Sequence, residues 1–249
     1  MPRSGWSDRF ARIGEIDVQD PQTWESRLFL TIDLDWAIDP AIELCLDMLD
    51  DAGVAATLFV THDTPLLARI RSNRRLELGV HPNFNRLLDG EAGSGSAEAV
   101  MHELQRLVPE ARAVRSHSMT QSSRLLDLFV RCGMTHDCNH FVPVQSGITL
   151  KPYAHWKRAL TRVPYCWEDD IDLEYGAGPS PLDIATAGTG LRVFDFHPIH
   201  LALNTVSIEH YETTRSAHRT GEALREAAAP GPGGVRDRFA ALLQGRMSS

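Results

Sequence analysis

Short apolar segments that favour β-strands alternate along the chain with segments that have the apolar periodicity of helices. The pattern predicts strands at residues 28–35, 54–60, 75–80, 111–115, 134–137 and 191–197, with further strands in irregular connections over 147–167. It predicts helices at 40–52, 65–71, 97–108, 122–132 and 236–243. Because strands that alternate with helices pair in parallel through crossover connections, the sequence predicts an α/β fold with a parallel sheet.

The length of the chain is normal for an α/β barrel that forms as one unit. The sequence has 249 residues, and neither an internal repeat nor a change in composition marks a second domain. We therefore predict a single domain over residues 1–249, with an irregular lead-in at 1–25 and a helical C-terminal tail. An open doubly wound sheet is the competing fold, but the glycine-rich phosphate loop of nucleotide-binding sheets does not follow the first strand.

The composition disfavours several classes of partner. A net charge of −8 and a pI near 5.7 argue against a general surface for nucleic acid or anionic membrane. No apolar run approaches the length of a membrane-spanning helix, and residues 1–20 lack the apolar core of a signal peptide. We therefore predict a cytoplasmic protein without a transmembrane segment or a nucleic-acid partner, and the sequence leaves the oligomeric state open.

The first long predicted strand ends in two carboxylates. Asp33 and Asp35 are two residues apart, so on an extended strand their side chains would point to the same face. Two acids held together raise each other's pKa, and a metal ion would turn that cost into binding energy. The alternative is a strand that ends in a solvated acidic turn, which caps the next helix.

Other predicted strands also end in residues that can bind ligands. The carboxyl ends of barrel strands form one face of the fold, and active sites are built there. We therefore expect the following side chains to come together with the two carboxylates: His81, Arg115, His117, His197 and His200. His62 and Asp63 also follow a strand, and we interpret them as capping the next helix, with a role in the site as the alternative.

The order and spacing of these motifs resemble the polysaccharide deacetylases (NodB homology, carbohydrate esterase family 4), and most of all the WbmS type encoded with O-antigen biosynthesis genes. The motifs are Asp33-Leu-Asp35, Gly79-Val-His81-Pro, Arg115-Ser-His-Ser and Phe196-His197-Pro, and the resemblance spans about residues 28–200. It implies a distorted (β/α) barrel of about seven parallel strands. It also implies a metal-dependent carbohydrate deacetylase, which is a hydrolase acting on non-peptide C–N bonds.

Carried over by position, the resemblance implies a role for five residues. Asp33 would be the general base, His197 the general acid that protonates the leaving amine, and Arg115 the residue that orients and tunes Asp33. Asp35 and His81 would bind a divalent metal, with zinc preferred. The chemistry agrees, because zinc bound by a carboxylate and imidazoles keeps an open position for the water to be activated, and a nearby carboxylate can take the water's proton.

The third metal ligand remains open at this stage. The family usually has a second histidine four residues after the first, but Asn85 stands at that position here. An amide oxygen is a weaker donor for zinc than imidazole. We therefore consider Asn85 first, His117 as the alternative third ligand, and the absence of a metal as the remaining possibility.

Four residues are predicted to contact the substrate: His117, Trp167, Asp170 and His200. One acid of the segment 168–170 is also expected to pair with His197 and set its tautomer, with an exposed acidic turn as the alternative. Aromatic residues that can stack on sugar rings, or else belong to the core, are Tyr153, Trp156, Tyr165 and Trp167.

Together these features predict a hydrolase that removes an N-acetyl or similar small acyl group from an amino sugar in a glycan or glycan precursor, in polysaccharide or O-antigen biosynthesis. The partner would be a small molecule or oligosaccharide that contains the amino sugar. One alternative is an amidase of the same barrel that acts on another C–N bond, as in a formyl-sugar or a ureide. Another is a non-catalytic barrel that binds a glycan or forms part of a complex, since the second and third motifs depart from the family pattern.

Overall fold

The structure is a computed structural model that describes residues 5–91, 93, 95–157, 159–176 and 178–246. The first four residues of the predicted lead-in, residue 158 of the predicted 147–167 region and the last three residues of the predicted domain lie outside this description. The strands are β1 (Phe10–Ala11), β2 (Leu28–Asp33), β3 (Ala56–Val60), β4 (Leu76–Val80), β5 (Ala113–Val114), β6 (His136–Asp137), β7 (Tyr153–Ala154), β8 (Thr161–Arg162), β9 (Trp167–Glu168) and β10 (Val193–Phe196).

The α-helices are α1 (Asp39–Ala52), α2 (Leu66–Ser72), α3 (Asn85–Leu88), α4 (Ala97–Leu107), α5 (Ser123–Arg131), α6 (Asp169–Tyr175), α7 (Pro181–Ala187), α8 (Pro198–Leu203), α9 (Ile208–Thr213), α10 (Gly221–Ala227) and α11 (Val235–Gln244). The five predicted helices correspond to α1, α2, α4, α5 and α11, with ends that agree within one residue. None of the helices in the described ranges combines the length and the apolar character that a membrane crossing requires.

The strands form one curled sheet. Their order is β7-β8-β6-β5-β4-β3-β2-β10-β9, with β1 also paired to β2, and every pair is parallel except β7 with β8. A single parallel bridge between Phe141 and Tyr165 joins the chain after β6 to the chain before β9. Among the described residues, eight consecutive parallel strands, from β8 through β2 to β9, thus curl into a distorted barrel. The predicted fold class is confirmed.

Strand β2 lies at the centre of the core. All six of its residues are buried, with β3 on one side and β10 on the other, which explains why it reads as a nearly continuous apolar run. Helix α1 covers the sheet with an apolar face made of Ala41, Ile42, Cys45, Leu46 and Leu49. Burial of each leucine or isoleucine contributes about 1.5–3 kcal/mol. The helix ends at Gly53, whose φ of 62° is a left-handed conformation that glycine adopts at little steric cost.

The chain leaves the sheet earlier than predicted at the end of β2. The strand ends at Asp33, and Asp35 and Trp36 adopt left-handed conformations with φ of 38° and 54°. The turn is held by a hydrogen bond from the Ala37 backbone N–H to the Leu34 carbonyl (2.8 Å). The prediction that Asp33 and Asp35 share one face of an extended strand is therefore wrong, because the turn, rather than strand alternation, sets the direction of the Asp35 side chain.

Candidate active site

Three side chains from three strand ends converge beyond the carboxyl edge of the sheet. Asp35 follows β2, His81 follows β4 and His117 lies in a short 3₁₀ helix after β5. Asp35 Oδ1 lies 3.1 Å from His81 Nε2, and Asp35 Oδ2 lies 3.3 Å from His117 Nδ1. One nitrogen or oxygen atom from each of the three residues lies within 4.8 Å of the others, which is the separation expected of ligands that share one ion.

The polar atoms of this group lack ordinary hydrogen-bond partners. In the described part of the chain, Asp35 Oδ1 and both ring nitrogens of His81 are buried without a hydrogen bond, since the close approach of His81 Nε2 to Asp35 Oδ1 does not have a hydrogen bond's direction. A buried polar group left in this way costs about 1–3 kcal/mol. One carboxylate oxygen and two imidazole nitrogens are also a typical ligand set of catalytic zinc sites. The residues present therefore fit a divalent metal.

The side-chain amide of Asn85 donates to a neighbouring serine. Its Nδ2 donates to Ser118 Oγ over 3.2 Å, and its backbone N–H is bonded to Asn83 at the start of α3. The structure thus brings His117 into the group with Asp35 and His81, whereas the Asn85 Nδ2 atom is bonded to Ser118. The geometry favours the alternative third ligand, and the ligand assignment remains a prediction.

Asp33 lies beside this group at the end of β2. Its Oδ1 accepts a hydrogen bond from Arg115 Nη1 (3.0 Å), and its Oδ2 lies 3.4 Å from His81 Nδ1. Burial raises the pKa of Asp33 well above its usual value, and the Arg115 charge opposes this without cancelling it. A buried carboxyl with a raised pKa is suited to exchanging a proton with a neighbouring group.

Arg115 is completely buried and is shared between two carboxylates. Besides Asp33, its Nη1 donates to Asp195 Oδ1 in β10 and to Thr31 Oγ1 (2.9 Å), and its Nε donates to the Cys138 carbonyl (3.2 Å). Sequence reasoning missed Asp195. The available signal was an acid inside the otherwise apolar strand β10, because a charge at such a position is costly unless it is paired.

His197 is held by Asp169. Asp169 Oδ1 lies 2.6 Å from His197 Nδ1, and Asp169 Oδ2 accepts the backbone N–H of the same histidine (2.8 Å). Burial acts to lower the pKa of His197, but the Asp169 and Asp170 charges outweigh it and raise this pKa well above its usual value. The other ring nitrogen, Nε2, lies 3.6 Å from Asp35 Oδ2. The acid expected to pair with His197 in the segment 168–170 is therefore Asp169.

The remaining substrate-binding candidates separate into two groups. Asp170 lines the same cavity as His197, and its Oδ1 contacts His200 Nε2 at 2.5 Å. Burial opposes ionisation of Asp170, but His197 and His200 lower its pKa to about 2. His200 is buried behind Asp170, with its Nδ1 3.0 Å from Thr205 Oγ1. Trp167 packs against Phe196 and lines a neighbouring apolar cavity instead.

The side chain bonded to the backbone at the start of α2 is that of Thr64, so the interpretation of His62 and Asp63 as caps of this helix is wrong. Thr64 Oγ1 accepts the backbone N–H of Leu66 at the start of α2 and donates to Asp39. Among the aromatic candidates, Tyr165 lines the cavity and packs on the Arg115 guanidinium. Tyr153 contacts His140, and Trp156 is largely exposed.

The site residues enclose a cavity of about 110 Å³, which we call the catalytic cavity. It is lined by the three residues of the candidate metal group, by Asp33, Arg115, Asp170 and His197, and by Ser116, Ser118, Met119, Tyr165 and Glu168. A candidate ion site, a buried carboxyl of raised pKa and a cationic imidazole thus face one small space. This arrangement is suited to hydrolysis of a small polar group.

Comparison with known proteins identifies the class to which this fold and site belong. The family model described as "WbmS-like: Polysaccharide deacetylase" matches residues 30–215. The chain therefore belongs to the WbmS-like polysaccharide deacetylase family. None of the curated proteins compared with the chain matches it.

Among solved structures, the chain is similar to a protein from Bordetella bronchiseptica assigned as a WbmS polysaccharide deacetylase involved in O-antigen biosynthesis. The two are 41% identical over 96% of this chain and 98% of that one, with a TM-score of 0.90. A protein assigned as a polysaccharide deacetylase from Mycobacterium smegmatis is 16% identical over 86% of this chain and 85% of that one, with a TM-score of 0.48.

Proposed function

We propose that the protein is a divalent-metal-dependent hydrolase that removes an N-acetyl group from an amino sugar. The observation that carries the proposal is the grouping of Asp35, His81 and His117 in one small cavity with Asp33 and His197. Asp33 and His197 are the candidates for base and acid. The other three residues form a metal-ligand set that includes buried atoms without hydrogen-bond partners. Family membership supports the same chemistry.

Asp35, His81 and His117 would hold the ion, for which zinc is the preferred candidate because of its affinity for imidazole and carboxylate ligands. A divalent ion held there supplies Lewis acidity, which polarises the amide carbonyl and makes water a nucleophile near neutral pH. His81 Nδ1 faces Asp33 Oδ2 at 3.4 Å. A carboxylate at this distance from the second ring nitrogen would orient the imidazole, as outer carboxylates do at metal sites.

Asp33 would take the proton of the attacking water. Its contact with Arg115 fixes the carboxylate, and its Oδ2 faces the candidate metal group at His81 Nδ1 (3.4 Å). Asp195 balances the charge of Arg115, so that the guanidinium can hold Asp33 without pairing with it alone.

His197 would give a proton to the leaving nitrogen. Asp169 holds its Nδ1, which leaves Nε2 free to face the cavity, and the raised pKa keeps the imidazole protonated before the C–N bond breaks. Water adds to the carbonyl carbon, the C–N bond breaks, and the products are a carboxylate and the free amine of the sugar. The acid and the base thus have separate residues whose surroundings suit the two roles.

The size of the catalytic cavity, about 110 Å³, supports a small acyl group such as acetyl. The amino-sugar substrate and a role in O-antigen biosynthesis are proposed from the family and from the Bordetella relative. A cytoplasmic location remains a prediction, which cell fractionation would test.

The test is release of acetate, compared with formate, from a panel of N-acylated amino sugars by protein loaded with Zn²⁺. We expect acetate release by the wild-type protein, and loss of turnover with retention of the metal in Asp33→Asn. Asp127→Asn, which alters only an exposed ion pair with Lys157, is the matched control and should keep full activity. Full activity in Asp33→Asn, or the absence of acetate from every sugar, would overturn the proposal.

A further inference from the structure

A second and larger cavity adjoins the catalytic cavity on the side of α4. It has a volume of about 680 Å³, and His81 lines both cavities. We call it the outer cleft, and its residues used below are Trp36, His62, Asp63, Asn83, Glu103 and Arg106. The outer cleft therefore borders the candidate metal group at His81, and no step of the proposed chemistry uses it.

The volumes show that the substrate must extend beyond the catalytic cavity. Pockets that hold whole small molecules measure about 300–1,000 Å³, whereas the catalytic cavity measures about 110 Å³. It has room for a small acyl group but not for a sugar carrying further units. The sugar that bears this group must therefore lie at the mouth of the cavity, and any attached unit must lie in a neighbouring space.

Two neighbouring spaces that are lined by described residues differ in their chemistry. The cavity on the Glu168 side measures about 340 Å³ and is lined mainly by apolar side chains such as Phe141, Trp167 and Ile171. Sugar hydroxyls buried there would lose hydrogen bonds to water without replacement, which is unfavourable. The outer cleft instead offers carboxylates, an amide and a guanidinium, which can both donate to and accept from hydroxyls.

Trp36 supplies part of the apolar surface of the outer cleft, together with Val100, Leu104 and Leu107. Its side chain is 47% exposed, although it packs edge-on against His117 with ring centroids 5.2 Å apart. Its backbone has φ of 54°, directly after the left-handed Asp35, and its N–H is bonded to Thr61 Oγ1 (3.1 Å). An exposed indole fixed beside a candidate metal ligand can cover the C–H face of a pyranose ring, which removes apolar surface from water on both sides.

We propose that the outer cleft is a saccharide subsite, in which Trp36 stacks on the sugar unit next to the one that is deacetylated. Asp63, Asn83, Glu103 and Arg106 bind the hydroxyl groups of that unit. The inference rests on the proposed function and adds to it a direction for the glycan chain and a residue that sets specificity. The substrate is accordingly an oligosaccharide of at least two units rather than a free amino sugar.

The test compares N-acetylglucosamine and N-acetylgalactosamine, each as the monosaccharide and as its β-linked disaccharide, with protein loaded with Zn²⁺. For at least one sugar, wild-type kcat/KM is expected to be about tenfold or more higher for the disaccharide. Trp36→Ala should reduce this preference to less than about threefold, and Trp36→Phe should restore part of it. Trp156→Ala is the matched control, because Trp156 is also exposed but lines neither cavity, and it should keep the wild-type preference.

Two results would overturn the subsite. The first is a wild-type protein that treats monosaccharide and disaccharide alike for both sugars. The second is a Trp36→Ala variant that loses activity on both to the same extent, since this would mean that Trp36 only supports His117. Zn²⁺ affinity measured in the same variant provides the structural readout, and it should stay at the wild-type value.

Saccharide binding to the Asp33→Asn protein tests the subsite independently of the proposed catalytic function. Calorimetric titration with the same disaccharides should show binding that weakens by about tenfold when Trp36→Ala is added. If the wild-type protein released no acetate while this binding remained dependent on Trp36, the proposed function would fail and the subsite would stand. Equal binding with and without Trp36, or no binding, would remove the subsite whatever the activity.

Discussion

Asp169→Asn is expected to slow deacetylation because Asp169 provides the charge that keeps His197 protonated. The carboxylate contacts His197 Nδ1 at 2.6 Å and its backbone N–H at 2.8 Å, and both groups are buried. On the other side of the ring, Asp35 Oδ2 lies 3.6 Å and Asp170 Oδ2 lies 3.9 Å from Nε2. An asparagine keeps the shape of the side chain but removes the charge, so the protonated imidazole loses its main stabilising partner.

The magnitude follows from the strength of one buried, charge-assisted hydrogen bond. Such a bond contributes about 1.5–3 kcal/mol, and each 1.36 kcal/mol corresponds to about a tenfold change. We therefore expect Asp169→Asn to lower kcat/KM by roughly 10- to 150-fold. His197→Ala removes the general acid itself and should cost about 10²–10⁴-fold.

The assay is steady-state acetate release from the best substrate of the panel, with Zn²⁺ content measured on the same samples. Asp127→Asn serves as the control, because its pair with Lys157 is exposed and should change kcat/KM by less than about twofold. The argument is refuted if Asp169→Asn retains wild-type kcat/KM while it binds the metal normally. It is also refuted if His197→Ala is as active as the wild type.

Two further predictions concern stability. Asp195→Ala leaves the buried Arg115 with only one carboxylate partner, so it should lower the free energy of unfolding by about 3–5 kcal/mol. Urea titration measures this loss, and a loss as small as that of Asp127→Asn would contradict the prediction. Burial raises the pKa of Glu168 to about 8, so folding favours its protonated form. This stabilisation is complete below the usual glutamate pKa and is lost as the pH rises through about 8. The unfolding free energy should therefore fall between about pH 4.5 and about pH 8, and it should fall less in Glu168→Gln. Equal pH dependence in the two proteins would contradict this prediction.

The fold was predictable because its local signals agree with one another. The central strands are buried on both faces and therefore read as apolar runs, and the helices that cover them have clear apolar faces and ends. Parallel strands bring their carboxyl ends to one edge, so Asp33, His81 and His197 could be expected near each other from sequence order alone.

The details of the site depend on backbone turns and on long-range contacts, which the spacing of residues along the sequence does not reveal. Asp35 reaches His81 through a left-handed turn, and the Asn85 amide is taken by Ser118. Asp195 contacts Arg115 across a sequence separation of 80 residues. Neither the spacing of sequence motifs nor the alternation of side chains along a strand can identify such partners, because the contacts arise only when β2, β5 and β10 are assembled.

The measurement that tests the central claim most directly is the affinity of chelator-treated protein for Zn²⁺, in the wild type and in single variants of each candidate ligand. The wild type should bind one ion per chain, and Asp35→Asn, His81→Ala and His117→Ala should each weaken binding by more than about 100-fold, because each removes a direct ligand. Asn85→Ala is the matched control and should bind with nearly wild-type affinity, since its amide is bonded to Ser118. A wild type that binds no ion, or a metal lost in Asn85→Ala and kept in His117→Ala, would contradict the account.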